Sequence, residues 1–484
     1  MDDERSQPRL AGPRRIWTPR VKPEAPRRER SLSPAPGETT PHPANASLWE
    51  GFLARENLAA ALRRVEQNAG APGIDGMSTK ELRPWLHRHW PQVRSALEAG
   101  TYRPSPVRRV TIPKPSGATR ELGVPTALDR LVQQALLQVL TPVFDPTFAD
   151  ESFGFRPGRS AHGAVQAARR HLDSGAEWVV DLDLDRFFDR VQHDALMARV
   201  ARRVDDKQVL KLIRGYLEAG VMADGVKQRT GEGTPQGSPL SPLLSNVYLD
   251  DLDRELGRRG HRFCRYADDV MIYVGSERAG QRVMEGISTL VEQSLKLRIN
   301  RDKSAVAWAG KRPFLGFSFF KRKTGWRIAV SREAPKRAKR RLRELTARTW
   351  GVPMERRIQA INRFTRGWAA YFSLAEGARP FSDLDQWLRR RLRQVRWKEW
   401  KRFSARRRNL RALGIPERPA REWAATRKGP WRTAGSWVLS RSLTDAYWRE
   451  QGLAGFTDPY RRLRDAERAA RCGPACLVAW EGPG

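Results

Sequence analysis

From Ser47 onward the apolar positions fall into a helical rhythm. Trp49, Phe52, Leu53, Leu58, Leu62 and Val65 recur at helical spacing and are closed by the turn-forming run Gly70-Ala71-Pro72-Gly73. Mixed helix and strand signals follow to about Phe320. Two short runs there read as strands: Trp178 to Phe188, with acids at alternate positions, and Phe263 to Val274, where apolar stretches flank an Ala-Asp-Asp centre and predict a tight hairpin. Beyond Arg332 the pattern is helical again, and we expect three helices there. Residues 1–46 carry nine prolines, nine Lys or Arg and six acids among few large apolar residues, the composition of a disordered, basic, Pro-rich tail. No solenoid-type repeat is present.

Charge changes the picture next. The 484 residues hold 90 Lys plus Arg against 54 Asp plus Glu, a net +36, which points to a polyanionic partner because each cation set on a phosphate releases condensed counterion. GC-rich coding would explain why only 16 of the cations are Lys, but not the excess of cation over anion. The densest stretch is Trp387 to Arg411, with 12 Lys or Arg in 25 residues and the single acid Glu399, interleaved with Trp387, Trp397, Trp400 and Phe403. A solvated helix face is the plain alternative for such a run. Tryptophans among arginines better suit a surface that packs inward and offers guanidinium groups to a sugar-phosphate backbone, and Arg389, Arg393 and Arg396 are the candidate contacts.

The same text excludes several classes. No 18-residue apolar run occurs and the chain opens on Met1-Asp2-Asp3-Glu4, so we expect no membrane span or secretory leader and a cytoplasmic, nucleic-acid-associated protein. Three cysteines give no disulfide framework, and Cys472 with Cys476 lacks the second pair a zinc site needs. No G-x-x-x-x-G-K-[ST] supports an ATP-driven helicase. His162, His171 and His193 have no partner at metal spacing, and Ser160 has no base nearby.

The carboxylates carry the chemistry. Asp268 and Asp269 sit at the hairpin turn, where two like charges between buried strands repel unless a cation lies between them; a self-bonded Asx-type turn is the plain alternative. Asp181, Asp183 and Asp185 alternate along the other strand and share one face if it is straight. Acids from two strands suggest a site for two Mg2+ ions about 4 Å apart that activates an attacking hydroxyl and stabilises a leaving oxygen. Spacing alone leaves open which acids bind metal.

Read together, these segments resemble the bacterial group II intron-encoded reverse transcriptases, or maturases. Tyr266-Ala267-Asp268-Asp269 matches the family's catalytic hairpin. Ala71-Pro72-Gly73-Ile74-Asp75-Gly76, Ile112-Pro113-Lys114-Pro115, Arg120-Glu121-Leu122-Gly123-Val124-Pro125-Thr126, Phe153-Gly154-Phe155-Arg156-Pro157-Gly158-Arg159-Ser160, Thr234-Pro235-Gln236-Gly237-Ser238-Pro239-Leu240-Ser241-Pro242 and Leu315-Gly316-Phe317 occur in family order, over about residues 47–450. The resemblance implies an α+β right-hand polymerase whose palm carries an antiparallel sheet. Its domains would be fingers and palm over 47–325, a helical thumb or maturase domain over 326–412, a DNA-binding region over 413–465 and a tail over 466–484.

It also implies roles. Asp183, Asp268 and Asp269 become the catalytic and metal-binding acids, with Asp181 and Asp185 second choices, for two Mg2+ ions or Mn2+ in their stead. Lys114 and Arg120 would grip the incoming dNTP, Phe188 would be its sugar gate, Gln236 would line its pocket, and Gly237 would allow close backbone approach. Lys303 is a weaker nucleotide-site candidate, and Leu315 and Gly316 resemble the primer grip. Partners would be intron RNA or another RNA template, a DNA primer or target, and dNTPs, for cDNA synthesis, splicing assistance and retromobility. The layout most resembles the endonuclease-free group IIC branch. A non-polymerising RNA-binding maturase and a reverse transcriptase recruited to host defence remain as alternatives.

Overall fold

The computed structural model describes residues 47–113, 119–223, 226–228, 233 and 237–472. The expected tail over 1–46, Lys114, Gln236 and Cys476 lie outside the described residues.

Among the described residues ten strands form three sheets. β1 (Val107–Pro113) and β2 (Thr119–Val124) join β4 (Val221–Ala223) and β5 (Val226–Gln228) in the order β2-β1-β4-β5. β3 (Trp178–Asp183), β6 (Arg262–Tyr266), β7 (Asp269–Val274) and β8 (Ala305–Trp308) form an antiparallel sheet in the order β6-β7-β3-β8. β9 (Phe317–Arg322) and β10 (Gly325–Val330) make a separate hairpin.

The β6-β7-β3-β8 sheet is apolar on both faces, and its side-chain alternation sorts residues into two cores. Val180, Leu182, Val270, Ile272 and Phe263 enter one, with helices Ala127–Phe144, Ser241–Arg258 and Glu277–Gln293. Val179, Cys264, Met271 and Tyr273 enter the other, with helix Ala161–Asp173, the β9-β10 hairpin and the C-terminal helices. Val180, Leu182 and Ile272 are fully buried, each burial contributing about 1.5–3 kcal/mol before entropy is set against it. Local signals fix the helix starts: Thr126 accepts from the Asp129 N–H, and Ser160 from the Gly163 N–H, so Ser160 is a helix cap.

Where three helices were expected over 326–412, the structure has four, Glu333–Leu345, Met354–Tyr371, Arg379–Glu399 and Phe403–Ala412. The region after Gly414 is not set apart from them. Leu439, Leu443, Trp448, Phe456 and Tyr460 share their core, Tyr460 stacks on Phe381 at 3.9 Å, and Asp385 accepts from the N–H groups of Phe456 and Thr457 at the start of helix Thr457–Cys472. That helix runs across residue 465, where the sequence suggested that a tail begins. Among the described residues no helix is long and apolar enough to cross a membrane.

Candidate active site

β6 and β7 are joined by Ala267 and Asp268, with Tyr266 and Asp269 as the closing pair. The turn needs a positive φ at its first position, and Ala267 supplies it at 58°. β3 lies beside β7 in a register that sets Asp183 directly across from Asp269, so acids 86 positions apart in the chain share one end of the sheet. Both belong to the face that continues inward as Val179, Met271 and Tyr273.

The strand does not carry all three alternating acids. β3 ends at Asp183, Leu184 makes an isolated bridge to Ile299, and Arg186 at φ 48° turns the chain into the short helix Phe187–Arg190. Asp185 pairs with Arg190 at 2.9 Å, and Asp181 is held by Arg312 at 2.8 Å. Asp183 has only a long contact, 3.6 Å, from the exposed Lys303, and its backbone is pinned by Ser304 and Asn300. Asp269 opens to solvent on one side but is crowded by protein on the others. Burial, and then the charges of Asp268, Asp181 and Asp183, push its carboxyl up to about 7.

Such repulsion is what a divalent cation relieves, and the donor set, all carboxylate oxygen, suits a hard ion of the Mg2+ type. Among the described residues no group of three acids, histidines or cysteines is arranged so that it could hold a metal ion on its own.

A buried polar network, which the motif reading passed over, supports the hairpin. Arg265 on β6 has no solvent exposure, donates to both carboxylate oxygens of Asp253, and reaches Asn246, Ser152 and the Ala267 carbonyl. Asn246 in turn donates to the Gly154 carbonyl. Gly154 lies so close to the turn that a Cβ there would sit 2.3 Å from the Ala267 nitrogen, which explains why Phe153-Gly154 belongs with the hairpin. Phe155, at φ 61° and half exposed, brings its ring to 6.5 Å from Tyr266. Phe155, Arg186, Ala267 and Leu315 are four of the six non-glycine residues with positive φ, so backbone strain gathers around these acids.

Phe188 is nearly buried and packs edge-to-face on Phe187 at 5.2 Å. The Gly233 N–H donates to Val191 beside the Phe188 turn, and Gly237, at φ 113°, approaches β2 so closely that a Cβ would meet the Gly123 carbonyl at 3.0 Å. Arg120 lies on β2 opposite Ile112. Leu315 and Gly316, at φ 50° and 83°, form a two-residue turn between Phe314 and Phe317. Tyr371, to which the sequence assigns no role of its own, donates to the Leu315 carbonyl at 2.8 Å, and its hydroxyl is pushed up to about 12 by burial and then by Tyr266 and Asp269.

Arg389, Arg393 and Arg396 are placed differently from the expectation that they meet nucleic acid. Arg389 pairs with Asp445 at 2.7 Å, Arg393 donates to the Leu443 carbonyl and Ser440, and Arg396 pairs with Glu399 at 2.9 Å. Burial and Arg389 lower the Arg393 pKa. Spaced by four and three residues, they form the helix face on which 440–445 closes. The neighbouring face presents Arg390 over Trp431 at 4.2 Å and Arg391 over Trp387 at 5.8 Å, with Arg343 over the same Trp387 at 5.6 Å; Arg391 donates to Thr346, and among the described residues no carboxylate pairs with any of the three. Neither the histidines nor Ser160 forms a catalytic pair: His162 Nε2 lies 2.6 Å from the Tyr371 carbonyl and His193 Nε2 2.8 Å from the Gly233 carbonyl.

Acids at the end of an antiparallel sheet, a tight hairpin bearing two of them and a basic helical domain behind are the features of the right-hand polymerase fold. Residues 112–319 match the family model for reverse transcriptase (RNA-dependent DNA polymerase), and 335–414 that for the group II intron, maturase-specific domain. Protein YkfC of Escherichia coli (strain K12) is 33% identical over 340 residues, 61% of this chain and 89% of that protein. The group II intron-encoded protein LtrA of Lactococcus lactis subsp. cremoris is 28% identical over 351 residues, 57% of this chain and 57% of LtrA. A chain of a solved partial Cas6-RT-Cas1–Cas2 complex is similar over 52% of this chain and 43% of that chain, at 24% identity and a TM-score of 0.34. The chain belongs to the group II intron reverse transcriptase/maturase family.

Proposed function

We propose that the chain is an RNA-directed DNA polymerase that copies RNA into cDNA and binds intron RNA to assist splicing and mobility. The observation that carries this is the β3–β7 register, which sets Asp183 against Asp269 at the hairpin turn while Arg312 and Arg190 engage Asp181 and Asp185. Asp183, Asp268 and Asp269 then hold Mg2+, whose charge, when bound, favours attack by a primer 3′-hydroxyl and departure of pyrophosphate. Lys114 and Arg120 grip the triphosphate, Gln236 lines the pocket, and Phe188 sits beneath the sugar and excludes a 2′-hydroxyl by volume. The Leu315-Gly316 turn positions the primer end, and Tyr371 positions that turn. Residues 47–325 serve as fingers and palm, 326–412 as thumb, and the exposed side chains of 413–465, whose apolar residues share the thumb's core, contact DNA.

Extension of a DNA primer annealed to an RNA template, with Mg2+ and dNTPs, tests the proposal. The purified chain is expected to make full-length cDNA. Tight RNA binding with no extension under any divalent ion would overturn the polymerase reading in favour of an RNA-binding maturase.

A further inference from the structure

Away from the carboxylates, helix Ala161–Asp173, strand β10 and helix Thr457–Cys472 enclose a second concavity of about 480 Å³. Arg169, Arg170, Arg327, Arg464 and Arg468 line it, and Glu376 is the one acid in its wall. None of these belongs to the site described above, and no motif points to them, because they come from three segments almost 300 residues apart.

Their partners neutralise them poorly. Arg327 meets Glu376 only at 3.5 Å, Arg169 meets Asp173 at 3.6 Å and Arg464 meets Glu467 at 3.1 Å. Arg170 and Arg468 are exposed and have no carboxylate partner among the described residues, while the Nε of Arg169 is buried without a hydrogen-bond acceptor there. The pocket is nonetheless built firmly: Asp173 accepts from the Trp326 N–H at 2.8 Å, the Glu376 N–H donates to the Ile328 carbonyl at 2.7 Å, and Tyr460 anchors its helix through the Ala375 carbonyl at 2.8 Å. Five guanidinium groups line this rigid hollow beside a single carboxylate, and the ligand that suits such a lining is a multiply charged anion able to accept several paired N–H bonds.

We propose that this pocket is a binding site for clustered phosphates, separate from the polymerase site. Its volume suits a group the size of a nucleotide, and the shared chemistry has two sources: a sharp bend of folded RNA, where backbone phosphates crowd together, or a free polyphosphate. Naming RNA rests on the function proposed above; the pocket's preference for phosphate does not.

The test uses the full chain carrying Arg170→Gln with Arg468→Gln, chosen because neither side chain has a carboxylate partner among the described residues, with thermal melting as a check on folding. Inorganic tripolyphosphate is titrated calorimetrically without Mg2+, and affinity for a structured RNA transcript is measured across salt. An RNA source predicts that the salt slope of RNA affinity falls by roughly 1.5–2, the loss of two phosphate contacts. A free-polyphosphate source predicts at least a tenfold loss of the tripolyphosphate affinity that the wild type shows, with RNA binding unmoved. Unchanged values in both arms from a folded variant would overturn the site. Primer extension on a short template should be unaffected, so a wild type that cannot extend a primer counts against the polymerase reading and leaves the tripolyphosphate arm standing.

Discussion

Arg265 shows how a single residue can hold a site together without touching substrate. It and Asp253 have no side-chain exposure, and the pair braces the strand that ends in Tyr266. Removing one partner of a buried ion pair strands the other charge, so Asp253→Asn or Arg265→Gln should each destabilise the fold by about 3–5 kcal/mol, measured by urea unfolding. Values under about 1 kcal/mol would show that the network is loosely made. Phe188 makes a different prediction. Phe188→Ala opens space beneath the sugar and should admit ribonucleotides, so the preference for dNTPs over NTPs drops by at least roughly tenfold, and because it is a ratio from one preparation it survives the stability cost of truncating a core phenylalanine, about 3–5 kcal/mol. An unchanged ratio would take Phe188 out of the nucleotide site. Asp268 and Asp269 were legible in the sequence because adjacent acids between apolar strands are costly in any setting. Arg265 was not, since an arginine within a strand reads as a solvent-facing position, and its partners stand 12, 19 and 113 residues away.

At the scale of elements, helix Arg379–Glu399 illustrates what a pattern can and cannot tell. Its helical period and its tryptophans are plain in the sequence, and so are the two long helices before it. Which arginines face outward is not, because that depends on residues 436–451 folding back over it. Charge reversal at Arg389, Arg393 and Arg396 is therefore expected to lower the melting temperature more than it lowers RNA affinity, whereas Arg390→Gln with Arg391→Gln, which gives up the Arg391 bonds to Thr346 and the Arg390 stack on Trp431, should lower melting as well and reduce the salt slope of RNA binding by about 1–2. The opposite pattern would return the first three to the nucleic-acid surface. Strand β3 was overread for a similar reason: alternation predicted three acids on one face, but the Leu184–Ile299 bridge and the left-handed Arg186 end the strand after two.

For the whole molecule, the central sheet divides two cores and carries its acids at one end of the face turned toward the basic helical domain. The proposed function separates chemistry from grip: three carboxylates would do the first, and a surplus of 36 positive charges would provide most of the second. The fold class and the order of the motifs were legible because each motif is local. The pairing of Asp183 with Asp269, the Tyr371 link to the Leu315 turn and the arginine pocket were not, since all three are made by register and packing between distant segments. The most direct measurement is primer extension and RNA binding on one preparation of Asp268→Asn with Asp269→Asn, which keeps side-chain size and removes two charges. Extension should collapse by about three orders of magnitude or more, the scale of losing metal-ion charge stabilisation, while RNA affinity holds or rises slightly. Continued cDNA synthesis by that variant would contradict the assignment of these residues to the active site.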